Sequence, residues 1–115
     1  MVVATAFFIA AARAARLTGG EIDRIIDHRA RRPDAGVVIQ GTAGARRVRF
    51  AGRGKGKSGG YRVITFYSGG DLPVFLLTVF AKGERADPSK AERDALAQLT
   101  RALVDGYRAG AGKLG

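Results

Sequence analysis

The stretch "GRGKGKSGGYRVITFY", residues 52–67, sets a glycine-rich cationic segment directly against an alternating apolar run. Widened by one residue, Ala51–Ser58 reads A-x-x-x-x-G-K-S, a loose match to a phosphate-binding loop. Such a loop needs a helix immediately after Gly-Lys-Ser, because the helix N-terminal amides cradle the phosphates. Here Gly59 and Gly60 follow, and then the β-branched and aromatic run from Tyr61 to Tyr67. The sequence also has no apolar strand ending in Asp to hold magnesium. The segment therefore reads as a long hairpin connection into a strand. It presents Arg53, Lys55 and Lys57 at alternate positions, which share one side when the loop is extended.

Working outward from this loop, a sheet dominates the middle of the chain. "RRVRFA", residues 46–51, places Val48 and Phe50 on one face and Arg47 and Arg49 on the other. In "YRVITFY", residues 61–67, Arg62, Ile64 and Phe66 share a face. "VVIQG", residues 37–41, is a short strand. "PVFLLTVFA", residues 73–81, is almost continuously apolar, as expected of a central strand covered on both sides. Gly69-Gly70-Asp71 supplies the turn before it.

Helices flank this sheet on either side in the sequence. Residues 2–9 read as a first strand, and Ala10–Leu17 is rich in Ala and Arg and helix-prone. Thr18-Gly-Gly-Glu21 is a capping box. It opens a second helix, with Ile22, Ile25, Ile26 and Arg29 at helical spacing, and Pro33 and Asp34 end it. Ser89-Lys-Ala-Glu92 is a second box, opening a helix to about Tyr107. The stripe of that helix is Leu96, Leu99, Leu103 and Tyr107. The expected class is α+β: an N-terminal strand and helical hairpin packed on a mostly antiparallel sheet, with a C-terminal helix. Residues 1–115 form one domain, with 108–115 as a flexible tail.

Charge narrows the function. The net charge is +10, and no Asp or Glu occurs between Ala35 and Gly70. That window holds Arg46, Arg47, Arg49, Arg53, Lys55, Lys57 and Arg62, the footprint of a polyanionic partner. The chain has no cysteine, which excludes disulfides, a thiolate nucleophile and Cys-type metal sites, and fits a cytoplasmic setting. "VVATAFFIAAA", residues 2–12, lacks a basic leader and is too short to span a bilayer, so no membrane association is expected.

Two linked segments carry a family resemblance. "GTAGARRVRFAGRGKGKSGGYRVITFY", residues 41–67, and "FLLTVFAKGERADPSKAE", residues 75–92, resemble the RelE/ParE superfamily of bacterial toxins. Within it the chain is most similar to the RelE/HigB-like branch of type II toxin–antitoxin systems. The resemblance spans about residues 5–107 and implies a RelE-like fold. It also implies a cytoplasmic messenger-RNA interferase that cleaves on the ribosome, and a cognate helix-turn-helix antitoxin. The family's cationic loop matches Lys55 and Lys57, its strand arginine Arg62, and its strand-end cation Lys82. Arg46, Arg47, Arg49, Arg53 and Tyr67 are candidates for contacts to messenger and ribosomal RNA. Gly83 and Pro88 depart from the family pattern, and the catalytic C-terminal aromatic of some branches has no match, because Tyr107 reads as core.

The implied reaction is attack of an RNA 2′-hydroxyl on the adjacent phosphorus, which needs neither metal nor cofactor. It does need a base, a clamp for the phosphorane and an acid. The one histidine, His28, sits near a helix C-terminus, where its charged form suits the dipole. A lysine among like charges has a lowered pKa, which makes Lys55 or Lys57 the candidate base. Arg62 stays charged and its planar fork matches two phosphate oxygens, which makes it the clamp. Glu84 and Asp87 fit a loop before a helix as well as they fit acid–base work. A gyrase-inhibiting toxin of the ParE kind, or a nucleic-acid-binding domain without catalysis, shares the fold and the charge.

Overall fold

The computed structural model describes residues 1–50, 60–70, 72–81 and 88–114, with the side chains of the last helix described through Tyr107. The order is β1 (Val2–Ala4), α1 (Ala6–Ala14), α2 (Gly19–Arg31), β2 (Val37–Val38), β3 (Arg46–Phe50), β4 (Tyr61–Phe66), β5 (Val74–Ala81) and α3 (Lys90–Leu114). The class is α+β, as the sequence indicates. The sheet runs β1-β5-β4-β3-β2, antiparallel except where β1 lies parallel to β5.

The first strand is shorter than expected. It ends at Ala4 because Thr5 caps a helix instead of continuing the extended run. The Thr5 hydroxyl accepts from the Phe8 amide at 3.2 Å and donates to the Leu76 carbonyl at 2.8 Å. One side chain thus starts α1 and ties it to β5. Phe8 and Ala12, four residues apart, turn inward, while Phe7 and Ile9 stay exposed. The capping box at Thr18 forms as expected, with both reciprocal bonds, at 2.8 and 3.1 Å.

Strand parity then sorts the core into two layers. Tyr61, Val63, Leu76 and Val79 face α1 and α2, meeting Phe8, Ala12 and Ile25. Ile64, Phe66, Phe75, Leu77 and Phe80 face α3, meeting Leu96, with Leu99, Leu103 and Tyr107 packed alongside. Tyr107 is core, its ring edge-on to Phe75 at 6.3 Å. The middle strand is β4, not β5, although β5 is interior and buried except at Thr78 and Ala81. Ile64 pairs with Thr78 while Thr65 pairs with Leu76, so Leu77 is an extra residue in β5. The bulge lets Leu77 join the α3-side layer.

Two glycine sites have backbone reasons. Gly69 and Gly70 take positive φ in the turn before β5. Gly36, at φ 111°, lies so close to β3 that a Cβ would sit 2.8 Å from the Arg47 carbonyl. Thr42 fastens the segment before β3. Its hydroxyl donates to Ile39 O at 2.6 Å and accepts from Ala45 N, and its carbonyl accepts from the Thr100 hydroxyl of α3. α3 opens at the second capping box, where the Ser89 hydroxyl and the Glu92 carboxylate accept the reciprocal bonds. The helix continues to Leu114, past the expected end near Tyr107.

Candidate nucleic-acid interface

The cations separate by strand parity. Arg49 lies directly opposite Arg62 across β3 and β4, and Phe80 lies opposite Arg62 on β5. Arg47, two residues before Arg49, lies opposite Ile64 and so shares that face. Arg47, Arg49 and Arg62 therefore stand on the α3 side, at the end of the sheet where β3 and β5 finish. α3 covers Phe80 through Leu96 but leaves Arg49 exposed and Arg47 and Arg62 half-buried.

Like charges directly opposite on a sheet are destabilising, and opposed residues hold their Cβ atoms roughly 4.5–5.5 Å apart. Among the described residues neither Arg49 nor Arg62 has a carboxylate partner. An anion placed between them would turn this repulsion into attraction. Arg62 is best placed for that role, since its stem lies beside Phe80 and Ile64.

One contributor went unread in the sequence. Arg93, on the first turn of α3, lines a cleft of about 310 Å³ with Arg47, Gln40 and the β2 segment. Its Nε donates to Pro88 O at 3.1 Å, which fixes the stem and leaves the two terminal nitrogens for other partners. Its place on the capped first turn, four residues after Ser89, was the available cue.

Two candidates fall elsewhere. Arg46 has the opposite parity, pairs with Thr65 on the α2 side, and donates from Nη1 to Gly36 O at 3.2 Å. Tyr67 lies just beyond the far end of β4. Its hydroxyl faces Gly70 O at 3.4 Å, and its neighbours are Arg29 and Pro33. Neither converges with Arg62. Arg53, Lys55, Lys57 and Lys82, together with Glu84 and Asp87, lie outside the described residues. The described chain leaves the sheet toward both segments from one row, where Phe50 and Ala81 each pair with Tyr61.

His28 stands behind the sheet, on the α2 side. Its ring meets Phe50 edge-on at 5.2 Å, and Phe50 stacks on Tyr61 at 6.0 Å. Burial, then Arg29 and Arg32, push its pKa below the ordinary value, with Asp27 opposing. Its Nδ1 is buried without a hydrogen-bond partner. It is a packed imidazole on the face away from Arg62.

The fold is consistent with a known family. The family model for the RelE toxin of the RelE/RelB toxin–antitoxin system matches residues 4–110. The chain belongs to the RelE toxin family. It is therefore the toxin of a toxin–antitoxin system, with an antitoxin as partner, and RelE-family toxins are generally endoribonucleases. Among the described residues of this RelE-family chain, no helix is long and apolar enough to cross a membrane.

Proposed function

We propose that this toxin is a ribosome-dependent messenger-RNA endoribonuclease acting in the cytoplasm, held inactive by an antitoxin with a helix-turn-helix domain. The observation that carries this reading is the opposed Arg49–Arg62 pair, flanked by Arg47, on a face that α3 leaves partly open. A binding surface alone needs spread charge. Two cations opposed at one spot suit adjoining phosphates of one backbone, with the reacting phosphate, whose charge rises during reaction, at Arg62 and a flanking one at Arg49.

In the proposed reaction the 2′-oxygen forms a bond to phosphorus and the bond to the 5′-oxygen breaks. The 2′-hydroxyl proton passes to a base, for which Lys55 or Lys57 is assigned by family resemblance, and the departing 5′-oxygen takes a proton. The guanidinium of Arg62 donates to the phosphorane oxygens, whose negative charge is greatest midway. Lys82, next in sequence after Ala81, is the strand-end cation that the family resemblance assigns. Arg47, Arg49 and Arg93 hold flanking phosphates of messenger or ribosomal RNA, and Arg53 extends this set. The loop binds RNA but cannot by itself bend it into line for 2′-attack, so the ribosome supplies the geometry.

The test is cleavage of a labelled messenger by purified toxin, with and without programmed ribosomes, together with pulse labelling of cells during induction. Cutting only on ribosomes, with translation failing before replication, is expected. Replication failing first with messenger intact would instead identify a gyrase inhibitor.

A further inference from the structure

β2 is the outermost strand on the β3 side of the sheet, so one side of its backbone has no neighbouring strand among the described residues. Ile39 N donates to Ala45 O at 2.9 Å, and Val38 lies opposite Arg46 one step further along. Bonded and non-bonded pairs alternate in an antiparallel ladder. The Val38 N–H and C=O therefore point away from β3, off the edge, and have no partner among the described residues. Free edges accept further strands, and proteins commonly block them with lysine, proline or a covering element. Here the edge carries Val37 and Val38, 62% and 49% exposed. Val37, opposite Arg47, stands on the α3 side, and Val38, opposite Arg46, stands on the α2 side.

The cleft of about 310 Å³ lies against this edge, lined by Val37, Val38, Ile39, Gln40, Arg47 and Arg93. Two of these residues are cations and none is an acid. The Arg93 stem is anchored by its Nε bond to Pro88 O at 3.1 Å. A second copy of the chain would bring these cations against their own duplicates. An RNA backbone lacks the paired amide and carbonyl that Val38 requires. We propose that the β2 edge takes an acidic extended segment of the antitoxin as an antiparallel strand added to the sheet. The residue opposite Val38 exchanges both backbone hydrogen bonds with it and turns an apolar side chain to the α2 side. The residues before and after it carry carboxylates on the α3 side, over Val37, toward Arg47 and Arg93. Alternation sets this acid, apolar, acid spacing. Backbone bonds supply the docking and the arginines select for acids. The docking depends on the chain having an antitoxin and not on the ribonuclease reading. With that reading, the segment also takes two cations away from RNA.

The experiment is a proton–nitrogen NMR titration of the whole chain at constant low ionic strength, following the Val38 amide and the Arg93 Nε–H. The probes are the capped pentapeptide Thr-Glu-Val-Glu-Thr, its Thr-Gln-Val-Gln-Thr analogue, the acidic peptide N-methylated at its valine, and a short oligouridylate. Saturable shifts of both signals with the acidic peptide are expected. Binding should be at least about tenfold weaker for the glutamine analogue. It should be lost for the N-methylated peptide, which cannot donate to Val38 O. Arg93→Gln should weaken the acidic peptide several-fold. No saturable Val38 shift, equal binding of the glutamine or N-methylated peptide, or unchanged binding to Arg93→Gln would overturn the proposal. Oligouridylate moving the Val38 amide as the acidic peptide does would assign the edge to RNA and also overturn it. A Val38 shift on concentrating the chain alone would do the same in favour of a second copy. Failure to cut messenger on ribosomes would leave the peptide shifts in place, so the two readings fail separately.

Discussion

The two faces of the β3–β4 hairpin have the same strands and opposite fates. On the α2 side the sheet is covered to its last row, where Tyr61 and Phe50 stack and His28 closes over them. On the α3 side the cover stops at Phe80, and Arg47, Arg49 and Arg62 line the edge. Alternation in "RRVRF" and "YRVITF" writes both faces at once, because each step along a strand changes sides. The hairpin thus separates stability from chemistry by parity. At this end of the sheet, substitutions on the α2 side should change folding, and substitutions of the arginines on the α3 side should change activity at unchanged folding.

The largest effect on the covered face is expected at Ile25, fully buried against Phe8, Ala12 and Val63. Ile25→Ala should lower unfolding free energy by about 2–5 kcal/mol, the range for a large aliphatic cut to alanine in a packed core. Denaturant titration gives that number. Cleavage per folded molecule should stay at the wild-type level, and a matching loss of specific activity would break the division between faces.

A smaller effect on the open face is expected at Arg49. Arg49→Ala should weaken binding to programmed ribosomes on the order of tenfold and reduce the salt slope by about one, with the cleavage step kept. Binding measured across a salt series reads both. Arg46→Ala is the matched control, since Arg46 sits three residues before Arg49 on the same strand and on the covered side. If the two variants weakened binding alike, parity would not govern the RNA surface.

The smallest expected effect belongs to His28. Its folded pKa is depressed, so the unfolded chain binds the proton more readily, and stability rises with pH across that window. Stability should be complete above the ordinary histidine value of about 6.5 and fall as pH drops below it, until the folded pKa is passed. His28→Gln should flatten that part of the melting-temperature profile, whereas a wild-type profile that rose on acidification would reverse the sign.

These contrasts also show what the chain discloses unaided. Both capping boxes were legible, because a hydroxyl and a carboxylate three residues apart name a helix start without tertiary information. The arginine face was legible from alternation. The same alternation puts Arg46 on the far side of its neighbours, which a charge count alone overlooks. The start of α1 was not legible, because Val2–Ile9 is apolar apart from Thr5, and only the folded bonds of the Thr5 hydroxyl to Phe8 N and Leu76 O reveal the cap. Arg29 reads as the polar edge of a helical stripe, and only packing shows it buried. The place of Tyr67 depends on where β4 ends, and element ends are set by tertiary contacts. Arg93 was missed because its relation to Arg47 is made by folding α3 across the sheet.

The central claim is that the open face does the chemistry and that Arg62 is its clamp. The direct measurement is single-turnover cleavage of messenger on programmed ribosomes by Arg62→Ala, with ribosome binding followed separately. The account predicts a loss of ~100- to 1,000-fold in rate with affinity nearly kept, the usual consequence of removing one preorganised donor to a developing charge. Arg62→Lys, which keeps the charge and loses the fork, should recover only part of the rate. A folded Arg62→Ala protein that binds and cuts at the wild-type rate would contradict the account and remove the α3-side face from the active site.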